Sequence, residues 1–239
     1  MIAKSLMTYA RRKWRLYSFF ILSSLIAASC SHPRVVVVDQ EPVAVDAPHL
    51  MRGPVIVIDA GHGGKDLGTN SKTLHYEEKA LTLETAFMLE HYLQKMGYRT
   101  VLTRSEDVFI PLSKRAGIAN DLRSRLFVSM HYNSAPSKDA SGIEVFYYLS
   151  DTNKKRTIES KNLGDHVLRE VTGATGAKSR GVKHGDFAVI RETKMPAILV
   201  ESGFLTNPEE RQRILQRPYM QKLARGVAKG VDDYLKRAK

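Results

Sequence analysis

The sequence is poor in cysteine, since Cys30 is the only one among its 239 residues. A single cysteine cannot form an intramolecular disulfide, and it excludes a Cys-rich zinc finger or an iron–sulfur site. The chain also has no internal repeat and no low-complexity block. With 43% hydrophobic and 26% charged residues, it has the composition of a globular domain and not of a wholly disordered chain.

Acidic residues are absent from the first 29 positions, which therefore supply +5 of the formal net charge of +12. The remaining +7 is spread over the rest of the chain. An excess of that size is compatible with a polyanionic partner but does not require one. No nucleic-acid partner is expected.

The N-terminal segment 1–29 is predicted to be a signal peptide, because basic residues precede a short apolar run. That run, residues 16–28, is too short for a membrane span, which needs about 20 residues. Small residues then precede Cys30, and this resembles a bacterial lipobox, in which the cysteine is lipidated. The alternatives are ordinary signal cleavage near Ala28, or an uncleaved anchor with an incidental cysteine.

The segment 30–53 is predicted to be a tether between the membrane and the domain. Pro42 and Pro48 lie within it and Pro54 directly follows it, so regular structure is not expected there. These features place the folded part outside the cytoplasm. The expectation is a periplasmic monomer, held at the membrane through a lipid on Cys30.

Residues 54–239 are predicted to form one domain in which strands alternate with helices. Apolar runs predict strands at 55–58, 98–103, 126–130, 143–149, 187–191 and 197–200. Helical spacing and capping residues predict helices at 77–96, 111–122 and 158–171, one beginning at 207–210, and one through 223–235. The alternation predicts an α/β fold: a single mixed, largely parallel sheet of about six strands, flanked by helices on both faces.

Residues that can bind a metal or transfer a proton lie at the ends of three of these strands. His62 comes after the first strand, His131 ends the third, and Glu201 ends the last. In such sheets, functional groups collect beyond the carboxyl ends of the strands, and a carboxylate at the depth of Glu201 must be paired or functional. A zinc hydrolase needs about three His, Asp or Glu ligands. Glu77 or Glu78 offers the third, although either acid also suits a helix N-terminus.

Five segments, in order, resemble motifs of the zinc-dependent N-acetylmuramoyl-L-alanine amidases of the amidase-3 class. They are VIDAGHGGKDLG at 57–68, EKALTL at 78–83, LTR at 102–104 with RA at 115–116, SMHYNS at 129–134, and MPAILVESGFLTN at 195–207. RGVK at 180–183 also resembles a family signature. The similarity runs from about residue 55 to the C-terminus.

The resemblance implies one zinc ion per chain, held by His62, Glu78 and His131. Glu78 is preferred to Glu77 because the family glutamate is followed by lysine, as Glu78 is here. The zinc would polarise the scissile carbonyl and lower the pKa of the water it binds toward about 7. Glu201 resembles the catalytic carboxylate, which takes a proton from that water and returns it to the leaving amine.

The substrate that the resemblance implies is peptidoglycan. The bond cut is the amide between the lactyl group of N-acetylmuramic acid and L-alanine, in cell-wall remodelling and daughter-cell separation. Asn133 and Arg191 are candidates for lining the substrate cleft. Asp59 is either a residue that holds a metal-binding imidazole or a turn aspartate. Some family members carry an extra helix over the zinc, but residues 150–179 offer only one helix, which suits packing on the sheet. The sequence thus predicts an uncovered site.

Two other functions stay open. The first is a zinc carboxypeptidase acting on the stem peptide, which would need a cation for a terminal carboxylate. Arg180, Lys183 and Arg191 are candidates for that cation. The second is a non-catalytic wall-binding lipoprotein. Proteins of that kind usually lack a ligand or the base, and the sequence has every one of these residues.

Overall fold

The computed structural model describes residues 54–71 and 76–237. The predicted signal peptide, Cys30 and the tether lie outside the described residues. In the described part of the chain, no helix is both long and apolar enough to cross a membrane.

Strands and helices alternate along the chain, as the sequence predicts. In chain order they are β1 (Val55–Ala60), β2 (Asn70–Ser71), β3 (Tyr76–Glu77), α1 (Glu78–Lys95), β4 (Arg99–Leu102), α2 (Leu112–Asp121), β5 (Leu126–Asn133), β6 (Ile143–Tyr147), α3 (Lys154–Thr175), β7 (Ser179–His184), α4 (Ala188–Arg191), β8 (Ala197–Phe204), α5 (Pro208–Ile214) and α6 (Arg217–Arg237).

Six of the strands form one sheet in the order β4-β1-β5-β8-β6-β7. β4, β1, β5 and β8 run parallel to one another, β6 is antiparallel to β8, and β7 is parallel to β6. β2 and β3 form a separate antiparallel pair. The predicted α/β fold with a mixed, largely parallel sheet is therefore confirmed.

Helices cover both faces of the sheet, which explains why β1 is apolar on both sides. The larger core lies between the sheet and α1, α3 and α6, and includes Ile56, Ile58 and Val200. The smaller core lies between the opposite face and the short helices α2 and α4. It includes Val57 and Phe127.

The face with the smaller core changes from apolar to polar toward the carboxyl ends of the parallel strands. Side chains on one face of a strand recur every two residues. Two positions beyond its last apolar residue, each strand carries a polar one: Val57 is followed by Asp59, Phe127 by Ser129 and Leu199 by Glu201. In the antiparallel strand β6, Glu144 likewise stands two positions from Phe146. The sheet thus gathers polar groups at one end of one face.

One predicted strand is wrong, and one observed strand is not among the predictions. Residues 187–191, predicted as a strand, form the helix α4, and the sixth strand is β7, with the bounds Ser179–His184. His131 and Glu201 also lie within their strands and not at the ends, because β5 and β8 remain paired as far as Asn133 and Phe204.

Candidate active site

His62 lies in the turn after β1, and two buried arginines hold the carbonyl oxygens of this turn. Arg115 donates to the carbonyls of Ala60 and His62, at 2.7 and 2.6 Å. Arg104 donates to Ala60 and Gly61, at 3.0 and 2.8 Å. His62 has φ 62°, a left-handed conformation that is uncommon outside glycine. The arginines therefore hold the histidine in a backbone conformation that it would not adopt freely.

His62, Glu78 and His131 meet near the carboxyl ends of β1 and β5. Glu78 Oε1 lies 3.0 Å from His62 Nε2 and 3.2 Å from His131 Nδ1. The two imidazole rings stand edge to face, with centroids 4.8 Å apart. One ligand atom from each of the three residues lies within 4.8 Å of the other two. Residues far apart in the sequence thus form one compact donor set.

Glu78, and not Glu77, faces the histidines. Glu78 is buried, and it also accepts hydrogen bonds from the backbone amides of Tyr132 (3.0 Å) and Thr69 (2.9 Å). Burial opposes its charged form, but hydrogen bonds from His131 and His62 outweigh burial and hold the pKa of Glu78 far below its usual range. Glu77 instead pairs with Lys79, at 3.4 Å.

Two glycines leave room for this packing. A Cβ atom added at Gly61 would lie closer than 3.0 Å to three atoms of the His131 ring. One added at Gly68 would lie 2.7 Å from both Glu78 Oε2 and His62 Cδ2, and Gly68 itself has φ 63°. Both positions therefore need glycine for the close approach, and Gly68 needs it for the backbone as well.

Asp66 is the carboxylate that orients an imidazole, and sequence reasoning missed it. Its Oδ1 lies 2.9 Å from His62 Nδ1 and also accepts from the amide of Gly68 at 3.2 Å. Burial disfavours the charged imidazole, but hydrogen bonds to Glu78 and Asp66 raise the pKa of His62 above its ordinary value.

Asp59, the residue suggested for that role, does not contact a histidine in the structure. It lies within β1, where Thr103, Arg115 and Ser129 donate to it at 2.7, 3.0 and 2.7 Å. The suggestion that Asp59 holds an imidazole is therefore wrong. Asp59 instead anchors Arg115, which binds the His62 carbonyl.

Glu201 lies between two ionisable neighbours in the sheet. It is opposite His131 of β5 on one side and opposite Glu144 of β6 on the other. Its Oε2 atom is buried and has no hydrogen-bond partner. Burial, with the negative charges of Glu78 and Glu144 nearby, raises the pKa of Glu201 to about 7, although His131 opposes the shift.

Asn133 lies at the end of β5 and binds the next carboxylate along the sheet. Its Nδ2 donates to Glu144 Oε1 at 2.6 Å. The same glutamate pairs with Arg180 and Lys183 of β7. Glu144 is not among the site residues predicted from the sequence. A charged residue inside the apolar run of β6 was the available signal.

Arg191 does not reach this site. It lines a cavity of about 430 Å³ with Tyr148, Arg156 and Lys194, among others. Tyr148 follows β6, which runs antiparallel to β8, and Lys194 precedes β8. Both residues therefore lie at the end of the sheet opposite Glu201. Arg191 pairs there with Asp186, at 2.6 Å.

The fold and the site together define a class. A mixed α/β sheet that carries a His–Glu–His donor set beside an unpaired carboxylate is the arrangement expected of a metal-assisted hydrolase. The chain belongs to the N-acetylmuramoyl-L-alanine amidase family Amidase_3, which matches residues 56–233. Members of this family are cell-wall hydrolases, as the resemblance in the sequence implied.

Two curated proteins of Bacillus subtilis are similar to the chain over most of its length. The chain is 34% identical over 188 residues to the uncharacterised protein YqiI of Bacillus subtilis, covering 79% of the chain and 88% of YqiI. It is also 34% identical over 182 residues to the amidase LytC of the same organism. That match covers 76% of the chain but only 36% of LytC.

Solved structures are similar in fold over the same part of the chain. The catalytic domain of the amidase CwlV from Bacillus (Paenibacillus) polymyxa is 37% identical, with a TM-score of 0.71, and the match covers 77% of the chain and 99% of that domain. An N-acetylmuramoyl-L-alanine amidase from Clostridium difficile 630 is 38% identical, with a TM-score of 0.74. Here the match covers 78% of the chain and 99% of that amidase.

Proposed function

We propose that the protein uses zinc to hydrolyse the amide between the lactyl group of N-acetylmuramic acid and L-alanine of the stem peptide. The observation that carries this proposal is the convergence of His62, Glu78 and His131 within 4.8 Å, next to the unpaired oxygen of Glu201. The family match supports hydrolysis of the cell wall. The metal and the individual roles of the residues are inferred from the site.

The donor set fits one zinc ion. Two imidazoles and one carboxylate are the ligands of several zinc hydrolases, which keep the fourth position for water or substrate. The depressed pKa of Glu78 keeps this carboxylate charged at any physiological pH, as a metal ligand must be. Asp66 accepts from the far side of the His62 ring, the arrangement that usually orients a ligating histidine.

The chemistry then divides between the metal site and Glu201. A zinc ion bound by the three residues would supply Lewis acidity, which polarises a carbonyl and makes a water molecule more acidic. Glu201 takes a proton from water as the water oxygen bonds to the amide carbon, and it delivers that proton to the nitrogen as the C–N bond breaks. The products are a lactyl carboxylic acid, which ionises by releasing its proton to solvent, and the free amine of L-alanine. The unpaired Oε2 atom of Glu201 is free to accept the proton in the first transfer and to release it in the second.

Mass analysis of peptidoglycan digests tests this proposal against the alternatives. Zinc-loaded protein should release whole stem peptides with a free N-terminal alanine, and chelated protein should release none. A carboxypeptidase would instead release single amino acids from the peptide ends. A wall-binding protein would sediment with peptidoglycan but release nothing.

We further propose that the protein acts in the periplasm, anchored by a lipid on Cys30, and takes part in daughter-cell separation. An enzyme that acts on the wall must leave the cytoplasm, and the basic and apolar pattern of residues 1–29 suits export. Labelled fatty acid should be incorporated into the wild-type protein but not into Cys30→Ala. A wild-type product that carries no label would contradict the anchor. Cells lacking the protein should remain in unseparated chains.

A further inference from the structure

A second charged cluster lies beside Glu201, on the strands β6 and β7. Its centre is Glu144, which is only 5% exposed. Lys183 Nζ and Arg180 Nε both contact Glu144 Oε2, at 2.5 and 3.1 Å. Asn133 donates to the other oxygen, Oε1. Two cations thus share one carboxylate, and the cluster carries one net positive charge.

The second cation exceeds what the buried carboxylate requires. One cation with a hydrogen-bond donor is enough to compensate a buried carboxylate. Arg180 is held in place, because it also contacts the Phe204 ring at 4.8 Å and the Ser141 carbonyl at 3.3 Å. The side chains of Arg180 and Lys183 are nevertheless 30% and 42% exposed. The Lys183 ammonium has three donors, so it can hold Glu144 and still bind a second anion.

The cluster lies on the same face of the sheet as the candidate catalytic groups. His131, Glu201 and Glu144 stand opposite one another on β5, β8 and β6, and β7 is the next strand. Neighbouring strands are about 4.8 Å apart, so the cations lie roughly 10 Å or less from Glu201. The α-carbons of consecutive peptide residues are about 3.8 Å apart. A group on the second residue of a bound peptide would therefore reach the cations while its first amide lies at Glu201.

We propose that Arg180 and Lys183 form a subsite for a free carboxylate on the second residue of the stem peptide. This inference rests on the proposed amidase function and deepens it, since it names a substrate feature that the enzyme selects. The second stem residue carries either a free α-carboxylate or, when amidated, a neutral carboxamide. Arg180 supplies a fixed guanidinium and Lys183 a mobile ammonium. The subsite therefore favours the non-amidated peptide.

Calorimetric binding of two dipeptides tests the subsite without turnover. The wild-type protein should bind the γ-methylamide of L-alanyl-D-glutamate roughly tenfold more tightly than the γ-methylamide of L-alanyl-D-isoglutamine, the effect of one charge-assisted contact. Lys183→Met should reduce that preference to about twofold or less, and Lys183→Arg should keep it. The matched control is Lys194→Met, because Lys194 is an exposed lysine at the opposite end of the sheet. Thermal melting would establish that each variant folds.

Turnover of the corresponding muramoyl dipeptides separates this inference from the proposed function. The same preference should appear in KM, while kcat stays within about twofold for Lys183→Met, because the cation binds a group remote from the scissile amide. If the wild-type protein binds both dipeptides equally, or binds neither, the subsite is overturned even if both substrates are cleaved. A preference that persists in Lys183→Met would overturn it too. If the acid is preferred in binding but neither substrate is cleaved, the subsite stands and the proposed reaction fails.

Discussion

Glu78 and Glu201 are two largely buried carboxylates on either side of His131, and their surroundings differ. Both oxygens of Glu78 accept hydrogen bonds, and its pKa lies far below the usual range. One oxygen of Glu201 is buried without a partner, and its pKa is raised to about 7. Burial alone therefore does not set the charge of a carboxylate, because the hydrogen-bond donors around it decide which form is favoured. One group is suited to stay charged, and the other to exchange a proton.

The charged side chains around the two carboxylates also have different partners. The turn between β1 and α1 is held by Arg104 and Arg115, which donate to three consecutive carbonyls. On the side of Glu201, the nearest charged side chains on β6 and β7 bind Glu144 and leave Glu201 unpaired. The rigid side suits a metal site, and the unpaired side suits proton transfer.

Removing a ligand on the rigid side should have the largest effect. In His131→Ala, zinc content should fall from about one ion per chain to almost none, and amidase activity should be lost with it. Metal analysis of the purified protein, together with dye release from labelled peptidoglycan, measures both. His91→Ala, which changes an exposed histidine on α1, is the control and should keep both. Full zinc binding by His131→Ala would rule out this ligand set.

Removing the proton acceptor should separate metal binding from turnover. Glu201→Gln keeps the shape of the side chain but cannot accept the proton, so turnover should fall by roughly 10²-fold or more. Zinc content should stay unchanged, because Glu201 is not a member of the donor set. The control is Glu209→Gln, an exposed glutamate on α5. Near-normal turnover in Glu201→Gln would move the base to another residue.

The raised pKa of Glu201 also predicts how the stability of the metal-free protein depends on pH. The folded state favours the protonated carboxyl. Its contribution to the free energy of unfolding is therefore fully present below the ordinary pKa of 4.5 and is lost as pH rises through about 7. Relative to Glu201→Gln, the free energy of unfolding of the wild-type protein should fall by up to about 3 kcal/mol between those two pH values. Urea unfolding of both chelated proteins between pH 4.5 and 8 measures the difference. Stability curves that stay parallel would show that Glu201 has an ordinary pKa.

The sequence predicts the position of the candidate site well. His62, His131 and Glu201 each interrupt or follow an apolar strand, and parallel strands bring such residues to one edge. Glu78 could be identified as a ligand only through the resemblance to amidases. An acid at a helix N-terminus is common in any case, because it interacts favourably with the helix dipole. In these cases a local signal and the topology of the sheet agree.

Contacts that depend on irregular backbone could not be predicted in the same way. Asp66 reaches His62 only because His62 has a positive φ in a turn without a repeating pattern. Residues 187–191 form a short apolar run, and periodicity cannot separate a strand from a helix at that length. β7 is an edge strand with charged residues and a glycine, so it lacks the apolar signal of a buried strand.

The helix α3 follows β6 and is the one predicted helix in the stretch where some family members carry a helix over the zinc. In the structure its residues Leu163, Val167 and Val171 are fully buried in the larger core. α6 approaches it at Gly226 and Gly230, where an added Cβ atom would lie closer than 3.0 Å to the α3 backbone. A helix packed this closely is part of the fold. Displacing it would break the packing of much of the larger core.

The smallest effect is therefore expected from an activator. Because α3 is committed to the core, a periplasmic extract should change the turnover of purified peptidoglycan by the full chain less than about twofold. Release of soluble stem peptides, with and without extract, measures this. A heat-treated extract controls for stimulation by metal or salt, and an extract without the protein controls for other amidases. Negligible turnover that rises strongly with fresh extract would show that the site is covered. In that case α3, as the helix within residues 148–178, would be the first element to test, by asking whether the activator alters its protection from hydrogen exchange.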